Sequence, residues 1–376
     1  MYQFTFSFDE FLAEFWQKKP TVIKGGFKDF IDPISPDELA GLAMEEEVDS
    51  RYIAQIGTEW EVQHGPLNFD NTPEDHWSFV VQAANHWHEG AAQLVTPFRQ
   101  LPNWLFDDLM VSYSTPGGGV GPHIDQYDVF IIQGSGKRHW RVGPKDDNYE
   151  ELHHPALRQI KGFEPIIDEI LEAGDILYIP PGFPHDGYAT ETAMSFSVGF
   201  RSPKKQELLS SFADFVIAND LGDVHYHNPS LPARNNCGAI LEAEYTDLEA
   251  MMRSLLDHPQ QMKQWMGEYL SQSRHDLDII ASEPPWQNGE TYQFLEDGEA
   301  FKRLGGLRAF YHPDEPHVLY INGERFELPE ECKDAAKCLC DEEQVTRTLL
   351  GKQLDNPAFL ALLTQLINLG YWYPVE

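Results

Sequence analysis

The chain has 376 residues, with 61 Asp and Glu against 27 Lys and Arg, a formal net charge of −34 at neutral pH. Its length allows two or three domains with cores of their own, and a hydrophobic share of 41% excludes wholesale disorder. The acidity argues against binding bare nucleic acid, whose affinity comes from neutralised phosphates, and favours a basic partner steered in by the field of the protein.

The opening MYQFTFSFDEF carries acids inside its first apolar stretch and has no basic region, unlike a signal peptide. No run of about 18 apolar residues follows, so no membrane span is expected. Four cysteines, at positions 237, 332, 338 and 340, are too few and too unevenly spaced for a disulfide framework or a zinc finger. Buried or idle thiols in a reducing cytoplasm fit this usage.

Residues 6–18 have the apolar spacing of a short helix, and Thr21–Ile23 reads as a strand. Ser35-Pro36-Asp37-Glu38 is a helix start signal, with a strand expected around Arg51–Ile56. The stretch NTPEDHWSFVVQAANHWHEGAAQLV reads as helix. There His86 and His88, two apart, do not share a face and are taken as structural. Residues 107–114 alternate as a strand, with Asp108, Met110, Ser112 and Ser114 on one face. Asp108 is either a strand-end cap or a carboxylate offered to a cationic substrate.

The stretch GGGVGPHIDQYDVFIIQGSGKRHWRVG, residues 117–143, organises the chain. Two strands are joined by Gly134-Ser135-Gly136, which has the glycine chemistry of a β-hairpin. On an extended backbone His123, Asp125 and Tyr127 point to one face. His123 and Asp125 supply two legs of a metal site. A third leg is expected from a neighbouring strand, and His185, after the Pro180-Pro181-Gly182 turn, is the candidate. Two imidazoles and one carboxylate on one side of a metal form the facial triad of non-haem Fe(II) oxygenases. Arg138 shares that face, and its planar fork suits the far carboxylate of a dicarboxylate such as 2-oxoglutarate. Lys137 and Arg141 point the other way. Ser114 can add a hydroxyl bond to the same carboxylate.

Residues 144–172 read as an excursion in which His153-His154 lies in a polar loop. Strands follow at Pro165–Leu171 and Asp175–Ile179, and Met194–Phe200 alternates apolar with Ser195, Ser197 and Gly199. One of those serines is expected to reach the pocket. Helical periodicity occupies residues 206–222 and 239–274. Residues 285–376 carry a hairpin around Asn322-Gly323, a helix at NPAFLALLTQLINLG and a closing YWYPV, an order that fits a winged-helix-like domain.

These motifs resemble those of JmjC-domain 2-oxoglutarate oxygenases. More narrowly, PGGGVGPHIDQYDVFIIQGSGKRHWRVG, GDILYIPPGFPHDG and FLAEFWQKKPTVIKGGF are similar to the bacterial ribosomal oxygenase family across the whole chain. The resemblance implies an α+β fold: a double-stranded β-helix, the cupin-like JmjC barrel, over residues 1–203. It also implies a helical dimerisation region over 204–278 and a winged-helix-like C-terminal domain over 279–376. By resemblance, His123, Asp125 and His185 hold Fe(II), Arg138 binds 2-oxoglutarate, and dioxygen is consumed. Asp108, Met110 and Tyr127 then surround an arginine of the basic large-subunit ribosomal protein L-sixteen, hydroxylated by a homodimer without direct nucleic-acid binding. The rival readings are a cupin-type metal-binding regulatory module and a JmjC demethylase acting on another protein.

Overall fold

The alternating stretches before residue 202 fold into two antiparallel sheets. The structure, a computed structural model, describes residues 2–57, 59–70, 72–146, 148–153 and 157–375. The larger sheet has eight strands in the order Thr21–Ile23, Ile176–Ile179, Asp128–Gln133, Ala193–Phe200, Phe106–Ser114, Trp77–Val81, Ser50–Ile56 and Glu59–His64. The smaller has six: Ile167–Leu171, Arg138–Val142, Pro184–Ala189, His123–Ile124, Arg158–Ile160 and Glu151–His153.

The central strands Asp128–Gln133 and Ile176–Ile179 of the larger sheet are buried on both faces because they are apolar on both. One face carries Leu109, Val111, Phe130, Ile132, Phe196 and Val198 against Phe8, Phe11 and Phe98. The other carries Val129, Ile131, Leu177 and Ile179, which meet Trp140, Val142 and Leu171 of the smaller sheet. Each such side chain contributes roughly 1.5–3 kcal/mol on burial, so this double layer fixes the strands that carry the site.

Gly134-Ser135-Gly136 does not close a hairpin. Asp128–Gln133 lies in the larger sheet and Arg138–Val142 in the smaller, so the turn crosses between layers. Its amides are spent elsewhere: Gly134 N–H donates to Met194 O at 3.0 Å and Ser135 N–H to the Asp32 carboxylate at 3.0 Å. Gly136 has φ +73°, and a Cβ there would stand 2.0 Å from Thr192 O, so the chain passes close beneath a neighbouring turn. The chain crosses again from Ile176–Ile179 to Pro184–Ala189 and back to Ala193–Phe200, giving the double-stranded β-helix.

Two further readings are corrected. The stretch expected to be helical before residue 95 contains the wholly buried strand Trp77–Val81, paired with Ser50–Ile56 and Phe106–Ser114. Its β-branched and aromatic run packs between two strands, and burial overrides the helical pattern. Short helices Ala84–Trp87 and Glu89–Val95 follow, and the His88 ring caps the second by accepting Ala91 N–H at 3.2 Å. The excursion after residue 144 also contains strands, Glu151–His153 and Arg158–Ile160, the latter pairing Gln159 with His123. His154 lies outside the described residues. At Ser35 the helix start is the expected one, a capping box on Pro36–Ala43.

By its contacts the chain divides into two units, one of residues 1–202 with 274–278, the other of 203–273 with 279–376. The second opens with helices Lys205–Ala218, Glu242–Ser254 and Pro259–Ser271, the last two separated at a proline. Phe212 meets Trp265 edge-on at 5.1 Å. Ile321 pairs with Glu324 across Asn322-Gly323, both at positive φ, as a two-residue hairpin turn requires. Asn356 caps the helix Pro357–Asn368, whose Leu363, Leu366 and Ile367 are fully buried. A helix over Lys333–Asp341 carries Cys338 and Cys340; both are free thiols, and burial raises Cys338 to about 11.

Candidate active site

Between the two sheets lies a cavity lined from both sides. The smaller sheet and its connecting loop give His123, Asp125, Tyr127, Arg138, Trp140 and His185; the larger gives Met110, Ser112, Ser114, Val129, Ile131, Ser195 and Ser197, with Ser78 and Val80.

His123 and His185 are register partners on adjacent antiparallel strands, which sets their rings 4.2 Å apart. Asp125 follows two residues after His123, beyond the strand's end, and its backbone carbonyl is fixed by Gly182 N–H at 2.8 Å. The Pro-Pro-Gly turn before His185 therefore also anchors the carboxylate. Asp125 Oδ2 lies 3.8 Å from His123 Nε2 and 3.6 Å from His185 Nε2. Ligands on a metal at about 2.1 Å would stand ~3 Å apart at right angles, so closure asks each side chain to move by less than an ångström.

The imidazole tautomers are set by the backbone. Nδ1 of His123 faces Gly121 O at 2.8 Å and Nδ1 of His185 faces Phe183 O at 3.1 Å. A carbonyl only accepts, so each Nδ1 carries the proton and each Nε2 lone pair points at the common centre. Burial, then the neighbouring His123, pushes His185 down to about 4. It is neutral at physiological pH, the form that ligates.

Arg138 is 5% exposed. Nη1 donates to Ser112 Oγ at 3.2 Å and Nη2 to Gly187 O at 3.0 Å, while Nε has no partner. Burial lowers the guanidinium to about 10, with Asp186 pulling the other way, so it stays charged. A buried cation with an unmet donor fits an incoming carboxylate. Gly187 makes room: a Cβ there would stand 2.6 Å from the Trp140 ring, and that ring lies 5.1 Å from the guanidinium. Trp140 Nε1 is also buried without a partner.

The remaining predicted residues fall as follows. Ser114 is buried in the wall, its hydroxyl 2.7 Å from Ser78 Oγ. Met110 and Tyr127 line the cavity; burial first, then the Asp125 and Asp108 charges, raises the Tyr127 phenol. Asp108 continues the Met110 face past the lining, where Oδ2 accepts Ala83 N–H at 2.9 Å. Both serines of the last strand, Ser195 and Ser197, line the pocket. Sequence reasoning placed Ser112 on the lining face without giving it a role, and missed Trp140, Ser78 and Val80. Trp140 shares the alternation of Arg138 and was findable by it; Ser78 and Val80 lay in the stretch read as helix.

A double-stranded β-helix holding a His-x-Asp…His cluster opposite a buried arginine defines a JmjC-type barrel. Residues 93–208 match the JmjC domain model and residues 254–373 the ROXA-like winged helix. The chain is 52% identical over 373 residues to the Escherichia coli protein "Ribosomal protein uL16 3-hydroxylase", covering 99% of each. It is 32% identical over 329 residues to the Haemophilus influenzae "Probable ribosomal oxygenase", covering 84% of this chain and 80% of that one. It superposes on the solved structure of YcfD, a ribosomal oxygenase from Escherichia coli in complex with cobalt and 2-oxoglutarate, with a TM-score of 0.93, 51% identity and full coverage of both. The chain belongs to the JmjC-domain ribosomal oxygenases.

Proposed function

We propose that this chain is an Fe(II)- and 2-oxoglutarate-dependent oxygenase that hydroxylates an arginine side chain of ribosomal protein uL16. The observation that carries this is the pair of Nε2 lone pairs and one carboxylate converging on a single point, across a cavity from a buried guanidinium with an unmet donor. The relative of known substrate, alike over 99% of both chains, supplies uL16.

His123, Asp125 and His185 would hold iron, two neutral nitrogens and one carboxylate being the donor set that suits it. The metal, when held, supplies the activation of dioxygen that converts 2-oxoglutarate to succinate and carbon dioxide and puts one oxygen on a C–H bond. The chain's own residues do the rest. Arg138 binds the far carboxylate through its free N–H, with Ser114 beside it. Val129 and Ile131 keep that end dry, which strengthens the ion pair. Asp108 and Tyr127 orient the substrate guanidinium, and Met110 packs against its aliphatic stem. Holding the reacting C–H near the metal supplies much of the rate.

The chain's excess of 34 negative charges draws in a basic ribosomal protein, and the same field makes direct contact with nucleic acid unfavourable. We place this work in the cytoplasm, where ribosomal proteins are made; no helix among the described residues is long and apolar enough to cross a membrane. The C-terminal winged-helix unit then serves as a protein-contact surface. The test is mass spectrometry of purified uL16 incubated with the chain, Fe(II), 2-oxoglutarate and air. One added oxygen on an arginine, absent without 2-oxoglutarate, is expected; succinate formed with no oxygen on uL16 would discard this substrate.

A homodimer through the helical region is part of the same reading. The helix Glu242–Ser254 buries no residue of its own, and Tyr245, Leu248 and Met252 form one apolar stripe, 59%, 47% and 66% exposed. Leu209 and Ile217 of Lys205–Ala218 are exposed as well. Covering such side chains with a second copy contributes roughly 1.5–3 kcal/mol apiece. Leu248→Glu with Met252→Glu should turn a dimer into a monomer in light scattering after gel filtration. A dimer of unchanged mass would move the interface elsewhere.

A further inference from the structure

Asp108 is bordered by residues from a distant part of the chain. The Arg274–Asp278 segment joins the oxygenase unit although the chain before and after it belongs to the other. Arg274 is what ties it down. Its Nη1 donates to Asp107 Oδ1 at 3.3 Å, and its Nη2 to Trp104 O at 3.2 Å and Arg201 O at 2.9 Å. The next residue, His275, is thereby set with Nε2 3.9 Å from Asp107 Oδ1 and 4.0 Å from Asp108 Oδ2. Its ring meets His86 edge-on at 5.7 Å.

The arrangement divides labour between two adjacent acids. Side by side and only 17% and 13% exposed, Asp107 and Asp108 repel each other. Arg274 pairs with Asp107 and leaves Asp108 as the acid open to an incoming cation; burial raises the Asp108 carboxyl, against which the Ala83 amide and the neighbouring His275 act. One Asp108 oxygen accepts the Ala83 amide at 2.9 Å and lies 4.0 Å from His275 Nε2, at ion-pair rather than hydrogen-bond distance. The other, Oδ1, lies over Gly199, 3.5 Å from where a Cβ would stand, so no side chain covers it from that strand.

We propose that His275, anchored by Arg274, is a positioning residue for the protein substrate. It holds Asp108 in the orientation that receives the substrate guanidinium, and a segment from outside the barrel thus completes the subsite. The proposal rests on the reading of Asp108 as the guanidinium contact. It makes affinity for uL16, and not for 2-oxoglutarate, depend on residue 275.

The experiment uses the full chain loaded with Mn(II) and 2-oxoglutarate under nitrogen, and reads the affinity for fluorescently labelled uL16 by anisotropy. The KM for uL16 and for 2-oxoglutarate is measured in parallel with iron and air. His275→Ala is expected to weaken uL16 binding and raise its KM about 10-fold, the size of one coupled contact, with the 2-oxoglutarate KM unmoved. His275→Gln, which keeps an N–H donor, should recover most of the affinity. His275→Phe, which keeps the ring packed on His86 without the donor, should not, and this pair decides the matter if the alanine variant fails to fold. Asp108→Asn should lose at least as much, and adding His275→Ala to it should cost little more, since the two act as one unit. Unchanged affinity in His275→Ala or His275→Phe, with Asp108→Asn weakened, overturns the role of His275 and leaves Asp108 standing. Unchanged affinity in Asp108→Asn overturns both.

Discussion

Asp125→Ala is expected to reduce uL16 hydroxylation by well over 100-fold, more than the ~10–100-fold typical of losing a residue that only supports a metal ligand. Asp125 is the sole anionic donor of the triad. Both histidines offer neutral nitrogens, and burial keeps His185 neutral down to about pH 4, so without the carboxylate a dication meets no compensating charge. Asp125→Asn, with the same shape and no charge, should fail for the same reason. Neither change should unfold the barrel. The loop at 125 is held through its backbone carbonyl by Gly182, and the side chain is 22% exposed. Metal content after dialysis, read by mass spectrometry of the element, should fall with activity while the melting temperature stays within a few degrees. An Asp125→Ala chain that hydroxylates uL16 undiminished would remove the triad from its role.

The site was legible where chemistry is written in short spacings. His123 and Asp125 two apart, Arg138 on the alternation of its strand, and His185 behind a Pro-Pro-Gly turn need only local geometry to be read, and the structure gathers all four around one cavity. The layering was less legible. Gly134-Ser135-Gly136 has the composition of a hairpin turn, yet whether its flanking strands pair with each other is decided by Asp32 and Met194, far away in sequence. Trp77–Val81 shows the same limit. A short, mostly apolar run such as Trp-Ser-Phe-Val-Val satisfies a buried strand or a helix face equally, and only the neighbouring strands settle it. His275 was beyond reach altogether. Nothing near residue 275 distinguishes it, and its meaning comes from Arg274 finding two carbonyls and Asp107 more than 70 positions away. Contacts of that kind arise from the packed chain, whereas the metal triad arises largely from two strands in register.

Arg138→Ala should raise the 2-oxoglutarate requirement about 100-fold, or ~3 kcal/mol, the usual cost of truncating one partner of a buried charge pair. The guanidinium is held before the ligand arrives. Ser112 Oγ and Gly187 O fix its plane, and Trp140 lies beside it, so little rotamer freedom remains to be lost on binding. Removing it leaves a dicarboxylate with its far end in a wall of Val129, Ile131 and hydroxyls, where an unpaired carboxylate is costly. Arg138→Lys separates charge from shape. An ammonium keeps the ion pair but cannot bond Ser112, Gly187 and a carboxylate with one planar fork, so an intermediate loss of about 10-fold is expected. The loss should fall on 2-oxoglutarate alone: uL16 affinity, measured on protein saturated with the cosubstrate, should barely change, because Asp108 lies at the other end of the Phe106–Ser114 face from Ser112 and Ser114. Steady-state KM values for the two substrates make the comparison. If Arg138→Ala left the 2-oxoglutarate KM where it was, the buried guanidinium would be a structural cation and the cosubstrate would have to be anchored by Trp140 and the serines.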